Sequence, residues 1–401
     1  MMRFPYLKGK NVLLGVSSGV AIYKAIDLVS KLRQTDVNIK IIMTENANIW
    51  ISDQLFSAVG NCEVYKQTFA VKDGWIPHTE LSAWADLFII APATANIIAK
   101  IANGIADDLL SSTAVAFSKS SKLIVPTMNF RMYENPVNQR NLTQLKNDGW
   151  FVLEPEEGHL ADGEFGKGRY PDNQKILEYC EYLVTKKDYL NKKVLISAGP
   201  TIEKIDPVRY ITNKSSGKMG YELSREFAAR GAQVTLVSGP THLNPPSLLK
   251  EFVSVESAKD MEYAMISRSS DNNIIIMTAA VSDFRVKNYS EQKIKKDQIK
   301  TLELEKNPDI LKKLSSNKKE GQIIVGFAAE THDAKENAKK KLSEKGLDMI
   351  ILNDVSKSGI GFESDENEVT IFSIKEEQYV EKNFKRDIAV IICDYIHNNF
   401  F

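Results

Sequence analysis

Short apolar runs that alternate with amphipathic segments constrain the fold of this 401-residue chain more than any other feature of its sequence. Four runs occur in the first half and five in the second: NVLLGV, VNIKIIM, DLFIIAP and KLIVP, then KVLISA, QVTLVSG, NIIIMTA, QIIVGFA and DMIILN. Strands that are apolar on both faces are typical of parallel sheets with helices packed on both sides. The pattern therefore predicts an α/β protein made of two doubly wound domains.

One charged segment, EYLVTKKDYLNKK, separates the two series of strands. The chain is longer than the ~250–300 residues that a single core usually serves, so two domains are expected. We place the boundary near residue 188, which gives domains 1–188 and 189–401. In doubly wound sheets, ligands bind beyond the carboxyl ends of the strands, so the residues that follow each run are the candidate site residues.

The composition excludes several classes of partner. Lys plus Arg and Asp plus Glu both number 52, so no overall field attracts nucleic acid or an anionic membrane, and small-molecule substrates are expected. The three cysteines are far apart and form no CxxC pair, which argues against a disulfide framework or a thiolate metal site. The first residues lack the apolar core of a signal peptide and no run reaches the ~20 residues of a membrane span, so the sequence predicts a cytoplasmic protein.

The tripeptide Ser-Ser-Gly leads into a predicted helix twice, at Ser17, Ser18 and Gly19 and again at residues 215–217. Small residues at a helix N-terminus leave backbone N–H groups available to an anion, which the helix dipole also favours. Either copy alone is equally consistent with a simple N-cap and turn. Thr212 stands where a Walker loop requires glycine and no GxGxxG follows a strand, so a P-loop hydrolase and a standard dinucleotide fold are disfavoured.

Polar residues follow the third apolar run, in the segment APATANIIAK. Helix packing on the sheet explains the alanines, whereas Pro92, Thr94 and Asn96 are candidates for contact with the edge of a bound ring. His78 precedes the helix that leads into this strand, on a turn that can overhang a pocket. A single histidine is more often structural, so His78 alone does not decide the function.

Taken in order, these pieces resemble the FMN-dependent cysteine decarboxylases, of which phosphopantothenoylcysteine decarboxylase is the central member. The resemblance spans nearly the whole first half and rests on five segments: GVSSGVAIYK, MTENA, PHTELSAWADLFIIAPATANIIAKIANGIADDLL, PTMNFRMYENP and LADGEFGKGRY. It implies a flavodoxin-like domain in which residues 17–19 bind the FMN phosphate, with the flavin ring near Thr44 and the APATAN segment. It further implies that His78 is catalytic and that Asn129 and Met132 grip the substrate carboxylate.

The implied chemistry needs an electron sink, because loss of CO₂ from an ordinary cysteinyl carboxylate leaves a carbanion that nothing stabilises. Flavin supplies this sink by oxidising the CH₂–SH group to a thioaldehyde, after which CO₂ leaves to give an ene-thiolate and the reduced flavin returns hydride. The protein positions the substrate and handles protons.

The glycine-rich segment GHLADGEFGKGRY, residues 158–170, corresponds to a mobile flap in this family, and its four glycines let the backbone turn sharply. The family carries a cysteine where this chain has Asp162, and that cysteine is thought to protonate the ene-thiolate. A carboxyl group with a pKa of ~3.9 needs an upward shift of ~3 units to remain protonated near pH 7, which only a closed apolar flap supplies. We therefore expect slow final reduction. The alternative is that Asp162 only stabilises the turn.

The second half has a long loop after its first strand, LISAGPTIEKIDPVRYITNKSSGKMG, and such loops at a strand's carboxyl end are usually functional. Further along, a strand ends at AAVSDF with Asp283, and the segment EQKIKK carries Lys293, Lys295 and Lys296. A solvated charge run is enough to explain these lysines alone. With a carboxylate nearby, they are candidates for holding a triphosphate and its metal ion.

The second half resembles phosphopantothenate–cysteine ligase through seven ordered blocks: AGPT, DPVRYITNKSSGKMG, AAVSDF, KIKK, NPDIL, VGFAAET and NDVSKSGIGFESDENEVTIF. The resemblance implies a Rossmann-like domain that uses CTP with Mg²⁺ or Mn²⁺ to convert phosphopantothenate into an acyl-cytidylate. The implied sites are Asn213 and Lys293 for the intermediate, Asp283 for nucleotide and metal, Phe327 for the nucleotide, and Arg209 and Ala280 for substrate.

The whole chain is thus similar to a bifunctional enzyme of coenzyme A biosynthesis, which joins cysteine to phosphopantothenate and decarboxylates the product to phosphopantetheine. Two alternatives stay open for the first half: a flavin-binding assembly scaffold, and a decarboxylase that stops at the ene-thiol. The family also implies homo-oligomers, with trimeric flavin domains that hold FMN at subunit interfaces and paired ligase domains. The product formed from phosphopantothenoylcysteine distinguishes a complete decarboxylase from the scaffold and from the enzyme that stops at the ene-thiol.

Overall fold

The computed structural model describes residues 3–69, 74–295, 301–330, 332–354 and 364–401. The chain divides into two compact units, Met1–Thr185 and Lys186–Phe401, each with its own parallel sheet. The predicted fold class, α/β with two doubly wound domains, is confirmed. Among the described residues, no helix is both long enough and apolar enough to cross a membrane.

The first unit alternates strands and helices along most of its length. Its strands are β1 (Asn11–Val16), β2 (Asn38–Met43), β3 (Val64–Tyr65), β4 (Leu87–Ala93), β5 (Lys122–Pro126), β6 (Phe151–Val152), β7 (Glu156–His159) and β8 (Phe165–Arg169). Its helices are α1 (Ile22–Arg33), α2 (Glu45–Trp50), α3 (Asp53–Gly60), α4 (Pro77–Trp84), α5 (Ala95–Ala102), α6 (Leu109–Ala116), α7 (Phe130–Glu134), α8 (Pro136–Asn147) and α9 (Asn173–Val184). Strands β1 to β6 form one parallel sheet in the order β3-β2-β1-β4-β5-β6, and β7 and β8 form a separate hairpin.

Helices cover both faces of this sheet because its central strands are apolar on both faces. In β1, Val12 and Leu14 pack into a core cluster with α1 and α9, whereas Leu13 packs into a second cluster with α4, α5 and α6. Successive side chains of a strand point to opposite faces, so one run of apolar residues serves both clusters.

The second unit is built in the same way around a larger sheet. Its strands are β9 (Lys193–Ala198), β10 (Ile202–Lys204), β11 (Tyr210–Thr212), β12 (Gln233–Ser238), β13 (Glu251–Ser254), β14 (Ile274–Met277), β15 (Phe284–Val286), β16 (Leu304–Lys306), β17 (Ile323–Glu330), β18 (Met349–Asp354), β19 (Glu366–Ser373) and β20 (Glu377–Phe384). Its helices are α10 (Lys218–Ala229), α11 (Ala258–Ser269), α12 (Ile310–Ser316), α13 (Ala334–Glu344) and α14 (Lys385–Phe400).

The main sheet of the second unit has the order β13-β12-β9-β14-β17-β18-β19-β20. Its first six strands are parallel, whereas β19 and β20 continue the sheet in antiparallel fashion. The sequence pattern did not indicate this antiparallel edge. In β20 only Val380 is buried, so the strand lacks the continuous apolar run that marks a central parallel strand.

Each parallel sheet has one point where the direction of strand addition reverses. In the first unit this switch lies between β1 and β4, and in the second between β9 and β14. The carboxyl ends of the two strands leave a crevice at such a point, and ligands of open α/β sheets bind there. The first Ser-Ser-Gly turn directly follows β1, and the second lies in the long loop after β9.

Candidate active sites

The crevice of the first unit contains three hydroxyl side chains, each directly after a strand: Ser17 after β1, Thr44 after β2 and Thr94 after β4. Ser17 is 2% exposed, and its hydroxyl donates to the carbonyl oxygen of Pro92 at 2.8 Å and accepts from the Thr94 N–H at 3.0 Å. Thr94 and Thr44 cap the N-termini of α5 and α2. The structure therefore brings Ser17, Pro92 and Thr94 into direct contact.

Helix α1 begins at the carboxyl edge of the sheet, just after residues 17–19. Within the described residues no side chain caps α1, and its first turn contains no acidic residue. Ser18 and Gly19 are partly exposed, and Gly19 has φ 149°. The nearest atom to a Cβ added at Gly19 would be Cγ2 of Thr94 at 3.9 Å, so space remains above the turn. An uncapped helix start with open space fits the phosphate group of a flavin nucleotide.

Two further predicted residues lie near the helices beside this crevice. His78 is in the first turn of α4, and its Nδ1 atom is buried with no hydrogen-bond partner among the described residues. A buried nitrogen without a partner costs free energy unless a ligand or water bonds to it. Asn96 is exposed near the start of α5. No hydrogen bond between described residues joins His78 or Asn96 to the group formed by Ser17, Pro92 and Thr94.

The glycine-rich segment forms the hairpin of β7 and β8, which packs closely against the segment after β5. A Cβ at Gly168 would lie 2.0 Å from the carbonyl oxygen of Met128, and a Cβ at Gly166 would lie 2.6 Å from Cγ of Phe130. The Met128 N–H donates to the Gly168 carbonyl at 3.1 Å. Glycine at these positions therefore lets the hairpin backbone lie directly on the PTMNF segment.

Asn129 connects this hairpin to the predicted substrate-binding segment. Its side-chain amide donates to the carboxylate of Asp162 and to Oε2 of Glu164 at 3.2 Å. Its Oδ1 accepts from the Arg131 N–H at 2.8 Å, and the Arg131 guanidinium pairs with Glu164. The structure thus joins Asn129 to Asp162, while Met132 lies on α7 with its side chain 51% exposed.

Asp162 is exposed in the turn of the hairpin. The backbone N–H of Glu164 and the side-chain amide of Asn129 both donate to its carboxylate and hold the pKa of Asp162 below its usual value. Hydrogen bonds to the ionised form act in the opposite direction to the upward shift that a proton donor at neutral pH needs. In this conformation Asp162 is an ionised acceptor.

The second unit contains a cavity of about 810 Å³ at the crevice between β9 and β14. Four of the predicted residues line it, namely Asn213, Ala280, Asp283 and Phe327. The cavity also includes the turn of residues 215–217 and the first residues of α10. The other described residues of the lining are Lys214, 277–279, 281–282, Phe284, 306–311, 328–329, Lys345, Asn353, Asn367 and Lys385.

Hydrogen bonds tie the predicted segments of this cavity together. The side-chain amide of Asn213 donates to the carbonyl oxygens of Ala280 and Val281, both at 3.2 Å. The backbone carbonyl oxygen of Asp283 accepts from the Asn307 N–H at 2.8 Å. Asp283 is exposed and lines the cavity. The long loop after β9 and the AAVSDF segment therefore form one wall.

Lys293, Lys295 and Arg209 are not among the described residues that line this cavity. Lys293 and Lys295 are exposed, and Lys296 lies outside the described residues. Arg209 and the segment that carries these lysines are nevertheless joined, because Arg209 donates to the Ile294 carbonyl at 2.7 Å. The structure thus places the lysine segment beside the long loop of the second unit.

Asp206 holds this arrangement in place. Arg209 donates to its carboxylate through Nε at 3.0 Å, and the Ile294 N–H donates to the same carboxylate at 3.2 Å. Burial alone would raise the pKa of Asp206, but the hydrogen bonds from Arg209 and from backbone N–H groups hold it well below its usual range. Asp206 therefore stays ionised and fixes the loop through charge-assisted hydrogen bonds.

Several cavity residues were not selected from the sequence. Lys218 follows the Ser-Ser-Gly turn, and the NPDIL block contains Asn307, so the quoted motifs held a signal for both. Asn353 and Asn367 lie within the last quoted block. Lys385 lies outside every motif, and only the packing of α14 brings it to the cavity.

Two buried polar atoms of the lining have no hydrogen-bond partner among the described residues: Oγ of Ser282 and Oδ1 of Asn353. Buried polar atoms in native proteins are almost always paired, so such atoms in a cavity wall are expected to contact a ligand or ordered water. The cavity therefore has the features of a binding site for a polar molecule.

Comparisons with known proteins agree with this division into two sites. The Flavoprotein family matches residues 6–185, and the family described as DNA/pantothenate metabolism flavoprotein C-terminal domain matches residues 189–400. The second match covers more than half of the chain.

Relatives match the chain over nearly its whole length. The coenzyme A biosynthesis bifunctional protein CoaBC of Bacillus subtilis is 48% identical over 371 residues, which is 91% of both chains. The chain belongs to this family. The CoaBC proteins of Escherichia coli and Vibrio cholerae are 40% and 39% identical over 91% and 98% of both chains. The chain is therefore a bifunctional enzyme of coenzyme A biosynthesis, and the identification made from its sequence is confirmed.

Two solved structures each match about half of this chain. The C-terminal domain of a CoaBC protein is 42% identical with a TM-score of 0.46, and covers 53% of this chain and 97% of its own. The FMN-dependent cysteine decarboxylase SpaF is 30% identical with a TM-score of 0.39, and covers 45% of this chain and 99% of its own.

Proposed function

We propose that residues 189–401 ligate cysteine to 4'-phosphopantothenate in a CTP-dependent reaction. One observation carries this proposal: the cavity of about 810 Å³ is lined by five lysines and two aspartates, namely Lys214, Lys218, Lys306, Lys345, Lys385, Asp283 and Asp309. A concave site with an excess of positive charge is suited to a triphosphate that must lie beside a carboxylate.

Ligation needs activation because a carboxylate oxygen is a poor leaving group. In the proposed sequence, the phosphopantothenate carboxylate attacks the α-phosphorus of CTP and releases pyrophosphate. The cysteine amine then attacks the acyl carbon and releases CMP. Asn213, which is bonded to Ala280, is proposed to hold the acyl-cytidylate, and Arg209 is proposed to contact the substrate. Phe327 is proposed to pack against the nucleotide.

Charge is the main problem that this site must solve. The cavity lysines offset the repulsion between carboxylate and triphosphate, and we assign Lys293, Lys295 and Lys296 of the adjacent segment to the same role. Mg²⁺ or Mn²⁺ supplies further charge neutralisation when bound. Such ions bind through one or two carboxylates together with phosphate oxygens, and Asp283 in the cavity wall fits this role.

We propose that residues 1–188 decarboxylate phosphopantothenoylcysteine with FMN as cofactor. FMN supplies a two-electron acceptor for the CH₂–SH group, without which CO₂ does not leave. Residues 17–19 and the uncapped start of α1 fit its phosphate. Thr44, Pro92, Thr94 and Asn96 are proposed to contact the rest of the cofactor.

The proposed catalytic residues lie around this crevice and the hairpin. His78 is proposed to handle protons through the ring that has an unpartnered nitrogen. Asn129 and Met132 are proposed to bind the substrate carboxylate. The Asn129 amide already donates to the carboxylates of Asp162 and Glu164, and the substrate carboxylate is proposed to replace Asp162 at that amide. Asp162 is proposed to occupy the position of the proton donor, where its lowered pKa makes the final reduction slow.

We also propose that the protein acts as a homo-oligomer with trimeric flavin units and paired ligase units. Large apolar side chains near the first crevice support this: Tyr23, Ile49 and Trp50 are 61%, 81% and 58% exposed. Exposed apolar patches of this kind are typical of subunit interfaces.

Mass spectrometry of the reaction products tests the proposed function. Phosphopantothenate, cysteine and CTP are expected to give pyrophosphate, CMP and a decarboxylated product, and the protein as isolated is expected to contain FMN. Ligation without any CO₂ release would reduce the first unit to a scaffold. The absence of CTP-dependent ligation would contradict the assignment of the second unit.

A further inference from the structure

One wall of the cavity in the second unit includes Lys385, a residue that lies outside every family motif. Helices α10 and α14 both pack into the core cluster that includes Phe327, so they lie on the same face of the sheet. Their first residues, Lys218 and Lys385, both line the cavity. Two lysines from different helices are thereby brought to one wall.

One carboxylate accompanies these two cations. The Lys218 ammonium lies 2.6 Å from Oδ1 of Asp365, and the Lys385 ammonium donates to the Ser364 carbonyl oxygen at 2.6 Å. The Lys385 backbone N–H also donates to the Asp365 carbonyl oxygen at 2.9 Å. The Asp365 side chain is 61% exposed, whereas Lys385 is 5% exposed. The counterion is therefore at the surface, and the second cation is buried.

The buried position of Lys385 affects its ionisation. Burial, with a smaller contribution from Lys218, lowers the pKa of Lys385 to about 8, while the Asp365 carboxylate opposes this effect. Among the described residues, the charged groups that act on the pKa of Lys385 include Lys218 at the start of α10 and Asp365 before β19. A nearby anion favours the charged form of a buried lysine, and the binding of that anion is favoured in return.

We propose that Lys218 and Lys385 form an anion-binding pair that takes a phosphate group of a substrate, and that Lys218 exchanges Asp365 for this phosphate. The inference rests on the proposed ligase function. Helix α10 begins after Gly217, which has no side chain to cap it, so the positive end of the helix dipole adds to the same wall. Both CTP and phosphopantothenate carry the required group, and the kinetic tests distinguish them.

The first test compares Lys385→Met with Lys382→Met in the full-length protein. Lys382 lies on β20 near Lys385, but its side chain is 49% exposed, pairs with Glu366 and is not part of the cavity lining. We expect Lys385→Met to raise the KM of one phosphate-bearing substrate by about tenfold or more, since hydrogen bonds to charged groups have this magnitude. The KM of cysteine is expected to remain at the parent value in Lys385→Met. In the control variant Lys382→Met, the KM values of all substrates are expected to remain at parent values. The substrate whose KM rises is the one that places its phosphate here.

The second test uses pH and the conservative variant. The pKa of Lys385 is lowered, so its charge is lost as pH rises through about 8, and the affected KM is expected to rise above that pH. Lys385→Arg stays protonated throughout, so its KM is expected to stay level up to about pH 9.5. Asp365→Asn removes the competing carboxylate and is expected to lower the same KM about threefold at low ionic strength.

A purely structural role predicts a different result. If Lys385 only holds the Ser364 carbonyl, Lys385→Met lowers kcat or the melting temperature without a selective change in KM, and Lys385→Arg keeps the pH dependence of the parent. Either result overturns the inference. If Lys385→Met does not fold, Asp365→Asn decides instead, and an unchanged KM in that variant overturns the inference. A parent protein without CTP-dependent ligation would contradict the proposed function instead.

Discussion

Two regions of the molecule begin a helix with the same tripeptide, Ser-Ser-Gly, but use its hydroxyls differently. In the first unit, Ser17 is buried and its hydroxyl is bonded to both Pro92 and Thr94, so it fastens β1 to the end of β4. In the second unit, Ser215 is partly exposed and accepts a bond of 3.4 Å from the Gly217 N–H, while Gly217 starts α10 with φ 76°. One turn is built into the sheet and the other forms part of a cavity wall.

The difference shows what the tripeptide specifies and what it leaves to its neighbours. In both units the helix after the tripeptide has no side-chain cap among the described residues, and such a helix start suits a phosphate group. The neighbouring residues decide which kind of phosphate group each turn suits. The first turn lies beside hydroxyl and apolar side chains, whereas the second belongs to a cavity lined by five lysines. We infer that the first is suited to the single phosphate of a flavin and the second to a triphosphate.

His78→Asn is the largest expected change on the flavin side of this comparison. We expect CO₂ release to fall by at least about 100-fold, which is typical for loss of an acid–base group. Flavin content and ligation are expected to remain at parent levels. His242→Asn, at an exposed position in the other unit, is the matched control. Normal decarboxylation in His78→Asn would show that this histidine is only structural.

Lys293→Gln is the corresponding change on the ligase side. Pyrophosphate release is expected to fall by about 100-fold, because the lysine is assigned to charge that develops on the triphosphate. Lys287→Gln is the control, since Lys287 lies in the same loop region, is 59% exposed and pairs with Glu303. If Lys293→Gln forms the acyl-cytidylate at the parent rate, the lysine belongs to a solvated surface.

Asp162→Cys tests whether the ionised Asp162 of the hairpin slows the final reduction. The lowered pKa of Asp162 leaves it ionised at neutral pH, whereas a cysteine with a pKa of ~8.5 carries a proton there. We expect the substitution to speed formation of the saturated product by about tenfold or more. Anaerobic single turnovers followed by mass spectrometry measure this, with Asp148→Cys as a control thiol away from the hairpin. If the parent protein forms the saturated product as fast as Asp162→Cys does, the proton comes from another donor.

Ser17→Ala against Ser215→Ala tests the structural difference between the two turns. Removing the Ser17 hydroxyl leaves the Thr94 N–H and the Pro92 carbonyl without this partner, which costs about 1–3 kcal/mol of unfolding free energy. Ser215→Ala is expected to cost less than about 0.5 kcal/mol, since it removes one long hydrogen bond. All four tryptophans lie in the first unit, so their fluorescence in urea reports Ser17→Ala, and circular dichroism reports Ser215→Ala. Equal losses would mean that both hydroxyls have the same role.

The sequence contains enough information for the central strands and for part of the second site. Each of the nine apolar runs is a strand, because a central strand of a parallel sheet needs apolar residues on both faces and this requirement is local. Ala280 and Asp283 follow β14, Phe327 lies in the neighbouring strand β17, and Asn213 lies in the long loop after β9. These residues line one cavity because the carboxyl ends of the three parallel strands share one edge.

Other features depend on contacts between distant residues. Strand β20 has one buried residue, so its place at the sheet edge follows from pairing with β19 and not from its own pattern. Lys385 reaches the cavity through the packing of α14. The backbone N–H of Glu164, in the same turn, lowers the pKa of Asp162 most, and Asn129, which the hairpin fold brings beside it, lowers it further. Local sequence patterns hold no signal for such contacts.

We propose that one chain carries two independent active sites, one at each Ser-Ser-Gly turn, and a mixing experiment tests this proposal. His78→Asn and Lys293→Gln are each supplied with phosphopantothenate, cysteine and CTP, first alone and then mixed, and the products are identified by mass spectrometry. We expect His78→Asn alone to accumulate phosphopantothenoylcysteine and Lys293→Gln alone to leave phosphopantothenate unchanged. The mixture is expected to restore the decarboxylated product. A mixture that stays blocked, or a single variant that loses both reactions, would contradict it.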